Sequence, residues 1–235
     1  MDITRDASVE GAFTVIRERV PHLDIVVNNA GISGMGLNEG FTSEQFLTLL
    51  DVNAVGAHRV NRQALTLMKP RRQGLLVHVS TGLSRMPMPC FGLYAASKAA
   101  LECLAEIYRY ELAPIGIDSV IVQPAAFPTN LGGSALGPKE PSRLVAYGEL
   151  ANLPERMMQG LTAWFSGPNA PNPEAVAHSI IDLIETPPGH RPLRTTVGGG
   201  PDELNRLTDE LQRKLLSSQG LEGLLRLGNS TVTPT

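Results

Sequence analysis

The sequence predicts a single α/β domain built on a doubly wound parallel sheet, and three observations carry that prediction. Short β-branched runs alternate with long amphipathic stretches. The runs are apolar on both faces, as strands covered by helices on two sides must be. The stretches between them exceed the dozen or so residues that a parallel crossover needs.

Residues 7–20, ASVEGAFTVIRERV, place Val9, Phe13, Ile16 and Val20 at helical spacing, and LDIVVN at 23–28 follows as a strand. Thr42 followed by Gln45 has the spacing of a capping box, which opens a long helix over 42–68 before the strand LLVHVS at 75–80. A Pro-rich loop, RMPMPCFG, leads to a helix from Tyr94 to Leu112 and then to the strand DSVIVQ at 118–123. The segment 131–172 is rich in Gly, Pro and Asn and contains Trp164; it reads as a substrate lid with short helices inside it. Helical periodicity resumes over 173–185 with Pro173 near the first turn, PLRTTVG is a fourth strand, and a polar helix runs from Pro201 to about Ser217. Residues 218–235 read as a flexible tail.

Composition narrows the function. The chain is 42% hydrophobic and 18% charged with a formal net charge of −3, so no strongly basic face offers itself to nucleic acid or to an anionic membrane. The opening MDITRDASVE is polar and acidic where a signal peptide is basic and then apolar, which predicts a cytoplasmic protein. Cys90 and Cys103 form no CxxC pair and have no nearby ligand partners, so neither a disulfide nor a metal site is expected.

The strongest local signal is YAASK, in which Tyr94 and Lys98 stand four apart and share one helix face. Three further groups accompany it: Asn28-Asn29-Ala30-Gly31 at a strand end, Asn53 within a helix, and Ser80-Thr81 at the next strand end. Strand ends of a parallel sheet line one crevice, where open α/β folds bind their ligands.

In order and spacing these residues, with QPAAFPTN after the next strand, resemble the short-chain dehydrogenase/reductase family, the NAD(P)-dependent type with a Tyr-x-x-x-Lys active site and a Rossmann-like fold. The resemblance implies a hydride-transferring oxidoreductase acting on a carbonyl or secondary alcohol, with NAD or NADP as cofactor. Tyr94 would be the general acid/base, and Lys98 would favour its phenolate and bind the nicotinamide ribose. A hydroxyl from Thr81 or Ser80 would hold the substrate oxygen, and Asn53 would interrupt its helix and hold a water that links Lys98 to solvent. Asp2, Asn28, Asn29, Ala30, Gly31, Pro124 and Thr129 would join Tyr94 and Lys98 along the cofactor. The family's dimers further imply, if the fold is complete, a homo-oligomer built on the Tyr94–Leu112 helix, whose Glu102, Glu106 and Arg109 form only a narrow polar stripe.

Three departures stand out. The orienting serine lies thirteen residues before the tyrosine in the family; that position is Thr81, the first candidate here, with Ser80 as the second. The family's Pro-Gly after the sixth strand is Pro124-Ala125. The opening strand and its Thr-Gly-x-x-x-Gly-x-Gly turn, which hold the pyrophosphate, have no counterpart before residue 23, and MDIT matches the family's third-strand end, so the fold is expected to be N-terminally truncated. The glycines of AGISGMG and Gly198-Gly199-Gly200 read as turns rather than phosphate loops. Because the charge that selects NAD or NADP follows the second strand, the two stay undistinguished. An alternative of another class stays open: a cofactor-free remnant that serves as a binding or oligomerising module. The apolar lid points to a medium-sized apolar ketone or alcohol as substrate.

Overall fold

A computed structural model describes residues 1–225. Four parallel strands, β1 (Ile25–Asn28), β2 (Gly74–Val79), β3 (Ile117–Pro124) and β4 (Arg194–Val197), form one sheet in chain order. Asn28 pairs with His78 and Val79 with Val122, which brings the strand ends level along one rim.

The two-faced apolar pattern has the expected consequence. On one face Leu76 and Ile117 pack with Val9 and Phe13 of α1 (Asp6–Arg19) and with Val60, Ala64 and Met68 of α3 (Gly56–Met68). On the other, Leu75, Val77, Val120, Val122 and Val197 pack with Leu183 of α7 (Glu174–Glu185). Successive strand residues point to opposite faces, so one β-branched run serves both layers. Helices on both faces of a parallel sheet make the fold doubly wound and Rossmann-like, as predicted.

The long second helix begins as read. Thr42 accepts a hydrogen bond from the Gln45 amide and the Gln45 side chain accepts one from the Thr42 amide, a complete capping box at the start of α2 (Ser43–Leu50). A π-helical turn, Asp51–Val55, then separates α2 from α3. α4 (Gly92–Leu112) carries the YAASK motif. Between β3 and α7 lie a short α5 (Asn130–Gly133), a 3-10 segment over 141–152 and α6 (Leu153–Phe165). α8 (Asp202–Ser218) follows β4, and residues 222–225 form a 3-10 turn against α4. The remainder of the tail falls outside the described residues.

Among the described residues β1 pairs on one side only, and Val27 at its centre is 41% exposed. An apolar, β-branched strand with a free row of backbone donors and acceptors recruits other strands. The 235-residue chain expressed alone is therefore expected to form irregular oligomers or aggregates in sizing chromatography with light scattering. A monodisperse dimer with a sharp cooperative melt would contradict that expectation.

Candidate active site

The site forms where the ends of β1 and β2 meet the π turn and the first turns of α4. Lys98 is buried, and its Nζ donates to the Val79 carbonyl over 2.8 Å, so β2 fixes the cation. Asn53 sits in the π turn. Its Oδ1 accepts from the Ile32 amide and its Nδ2 donates to the Ile32 carbonyl and to Ser97 Oγ, each at 2.9 Å. Ser97 in turn donates to the Tyr94 carbonyl over 2.7 Å. The π insertion rotates Asn53 so that one carboxamide clamps the turn after β1 to α4; such insertions recur at functional sites. Both amide protons of Asn53 are thus spent on protein partners.

Gly31 stands against this cluster. A methyl group there would lie 3.0 Å from Asn53 Oδ1 and 3.2 Å from Lys98 Nζ, so the backbone approaches as closely as only glycine allows without displacing them. Asn29 and Ala30 are exposed beside it. Asn28 instead turns inward: its Nδ2 donates to Asn61 Oδ1 over 2.8 Å and lies 3.4 Å from His78 Nδ1. Its side chain therefore belongs to the core and not to the crevice, unlike the expectation that grouped it with the cofactor residues.

Thr81 and Ser80 are both buried, with different surroundings. Thr81 Oγ1 accepts from the Leu83 amide, lies 3.5 Å from the Pro124 carbonyl and sits close enough to the Tyr94 phenol to lower its proton affinity. Among the described residues Ser80 Oγ has no hydrogen-bond partner. Thr129 is exposed and caps α5 through the Leu131 amide. Asp2 is exposed and closes a local turn, accepting from the amide and hydroxyl of Thr4 at 2.9 and 2.7 Å; those bonds hold its carboxyl below the usual range.

Burial dominates the electrostatics. The Tyr94 phenol is pushed up to about 12 by burial, against a smaller opposing effect of the Thr81 hydrogen bond, and so is raised rather than lowered. Spacing places a cation on the same helix face, and burial is the larger influence on the phenol. Lys98 is pushed down to about 8 by burial, with Glu102 opposing.

His78, buried within β2, is pushed down to about 3, chiefly by burial and secondarily by Lys98. It is neutral at ordinary pH and behaves as a core histidine. The unfolded imidazole takes its proton near 6.5, so between 6.5 and about 3 the unfolded chain binds more protons and stability falls with pH. Acidification to about pH 5 should cost about 2 kcal/mol at this site. Urea titrations are expected to show that loss in the parent and a much flatter pH dependence in His78→Gln, which keeps an acceptor for Asn28. An unchanged slope in the variant would move the effect to another group.

A cavity of about 270 Å³ lies beside the start of α4, lined by Leu37, Glu39, Met88, Cys90, Gly92 and Tyr147. Two of the lining residues are joined, Tyr147 donating to Glu39 Oε2 over 2.9 Å.

The two glycine clusters differ: Gly34 forms a parallel β-bridge with Leu136, while Gly198 and Gly199 make a bend. Gly34 packs near Leu49 and Phe41, and Gly36 against Pro138. Gly198 and Gly199 take left-handed backbone angles and lead into α8, whose first turn carries Asp202 and Glu203 and so repels an anion.

Sequence reading missed one part of the site. Glu102, Glu106 and Arg109 are not a solvated stripe: Glu102 is 3% exposed and bonds Ser84, Gln123 and Arg194, while Glu106 bonds Arg194. Their partners come from β3, β4 and the turn after β2, and nothing in the local pattern of α4 announces them.

The sequence model of the short chain dehydrogenases matches residues 1–138. Retinol dehydrogenase 7 of Mus musculus is 33% identical over 133 residues, which cover 56% of this chain and 42% of that protein. The chain spans about half the length of the curated relatives it matches. Among solved structures, a short-chain dehydrogenase from Streptomyces avermitilis superposes with a TM-score of 0.72 at 29% identity, covering 94% of this chain and 78% of that one. A gluconate 5-dehydrogenase from Burkholderia cenocepacia, in complex with NADP and tartrate, gives a TM-score of 0.54 at 29% identity over 56% of this chain and 52% of that one.

Proposed function

Because the chain belongs to the short-chain dehydrogenase family, we propose that its crevice carries out the proton-handling side of NAD(P)-dependent hydride exchange between a carbonyl and a secondary alcohol. The observation that carries the reading is the junction of Tyr94, Lys98, Asn53, Gly31 and Thr81 at the strand ends.

The residues present fit the nicotinamide end of such a cofactor. Gly31 leaves backbone room beside Lys98, which would hold the ribose, and Asn29, Ala30, Pro124 and Thr129 would join them along the cofactor. When bound, the reduced nicotinamide supplies the hydride. Among the described residues no turn offers the pyrophosphate an anion site, since the one glycine-rich turn that opens a helix meets Asp202 and Glu203.

Tyr94 holds the proton that a carbonyl oxygen receives. As a neutral phenol at ordinary pH it is in the form that reduction consumes, so the resting site is set for carbonyl reduction. Thr81 orients the substrate oxygen with its hydroxyl while its methyl narrows the site. Lys98, cationic below about 8, stabilises negative charge that develops on the phenol oxygen as the proton leaves. A medium-sized apolar ketone or alcohol suits the cavity walls of Leu37, Met88 and Cys90, and a relative named for retinol supports the same class. For partners, a second copy of the chain would fit the outer face of α4, where Leu104 and Ile107 are exposed, once the open edge of β1 is covered by a further strand.

Titration of NADH and NADPH against Trp164 emission tests the reading. Saturable quenching by either, lost with Lys98→Met, is expected. No response to either with the folded chain would favour the remnant that binds or oligomerises without cofactor.

A further inference from the structure

The turn after β2 is held from below by a buried polar chain that no step above uses. Ser84 Oγ lies 2.6 Å from the Thr81 carbonyl and also hydrogen-bonds the Glu102 carboxylate. Gln123 Nε2 donates to both Glu102 oxygens at 2.9 and 3.1 Å, and Arg194 Nε approaches at 3.5 Å. Gln123 Oε1 accepts from Asn205 Nδ2 on α8 over 2.7 Å. Arg85, at the end of the same turn, bonds Thr208 one helical turn further along α8. The 3-10 turn Gly82–Ser84 thus rests on β3, β4 and α8 through one carboxylate.

Burial makes the arrangement costly unless it is used. Glu102 is 3% exposed, Gln123 fully buried and Asn205 6% exposed, in a region where leucines would pack at no electrostatic expense. Glu102 also follows Lys98 by four residues, so it stands one turn away on the same face of α4. A single carboxylate therefore neighbours both the cation and the turn that presents Thr81. Part of the chain beyond the family match, β4 and α8, reaches the reaction centre through it.

We propose that Glu102 is a positioning residue: through Ser84 it fixes the Thr81 turn, and with Gln123, Arg194 and Asn205 it couples the C-terminal helix to the orientation of the substrate-holding hydroxyl. The inference rests on the reading that Thr81 holds the substrate oxygen. Loss of the link lets the turn shift, and small displacements of an orienting group lower the chemical step more than they weaken binding.

Two mild variants of the full chain, Ser84→Ala and Glu102→Gln, test this. Each is expected to lower kcat for ketone reduction by about tenfold with the KM for reduced cofactor unchanged, and the double variant should fall no further because both act on one path. Amide hydrogen exchange gives a readout without turnover: the Leu83 and Ser84 amides, bonded to Thr81, should exchange about tenfold faster while the β2 and β3 amides keep their protection. Unchanged exchange at that turn in both variants would overturn the proposal, as would a kcat within twofold of the parent or losses that multiply in the double variant. If the parent shows no turnover that Tyr94→Phe removes, the functional reading fails by itself, and exchange still decides whether Glu102 fixes the turn.

Discussion

Tyr94→Phe is expected to lower ketone reduction by about 10²–10⁴-fold while leaving cofactor affinity and the melting temperature close to the parent's. The substitution removes one hydroxyl and keeps the ring that packs at the start of α4, so the fold has little to lose. In the parent that hydroxyl is a neutral donor, raised by burial to about 12. His78 lies nearby but is held neutral, with its Nδ1 turned to Asn28. Steady-state reduction by NADPH and NADH, with cofactor affinity measured separately, checks the split between chemistry and binding. A variant within tenfold of the parent would remove Tyr94 from the reaction and pass the role to a water or to another hydroxyl.

How far the sequence reveals such a site depends on how local its causes are. The capping box at Thr42 and Gln45 is legible because both partners lie within one turn. The strands are legible because Leu75, Leu76 and Val77 must each be apolar when both faces are covered. Tyr94 and Lys98 are legible as a pair because helical spacing alone puts them together. Their proton affinities are not, because burial is a property of the assembled crevice, and it reverses the direction that spacing alone suggests for Tyr94. Asn28 shows the same limit: its place at a strand end suggested the crevice, while its side chain satisfies Asn61 and His78 in the core.

The least legible feature carries the largest stability effect. Arg194 lies in a stretch that reads as a strand, yet its guanidinium, 3% exposed, is shared by three carboxylates: Glu102, Glu106 and Asp209. These come from α4 and α8, so no short window contains more than part of the set. Asp209 is already raised by burial, with Arg194 as the main opposing charge. Arg194→Met fills the volume and removes the cation, leaving three half-buried or buried carboxylates facing one another, and should cost about 3–5 kcal/mol at neutral pH. The deficit has a pH signature. Without Arg194 the Asp209 carboxyl, already raised by burial, holds its proton still more tightly in the folded chain than in the unfolded one, so the variant should regain stability relative to the parent as pH falls through the carboxylate range. Arg194→Lys supplies charge without the planar fork that meets several oxygens at once, and should fall between the two. Urea unfolding of the three proteins at about pH 8 and pH 5 decides the matter. A loss below about 1 kcal/mol for Arg194→Met at the higher pH would mean that water, rather than the guanidinium, satisfies these carboxylates in solution.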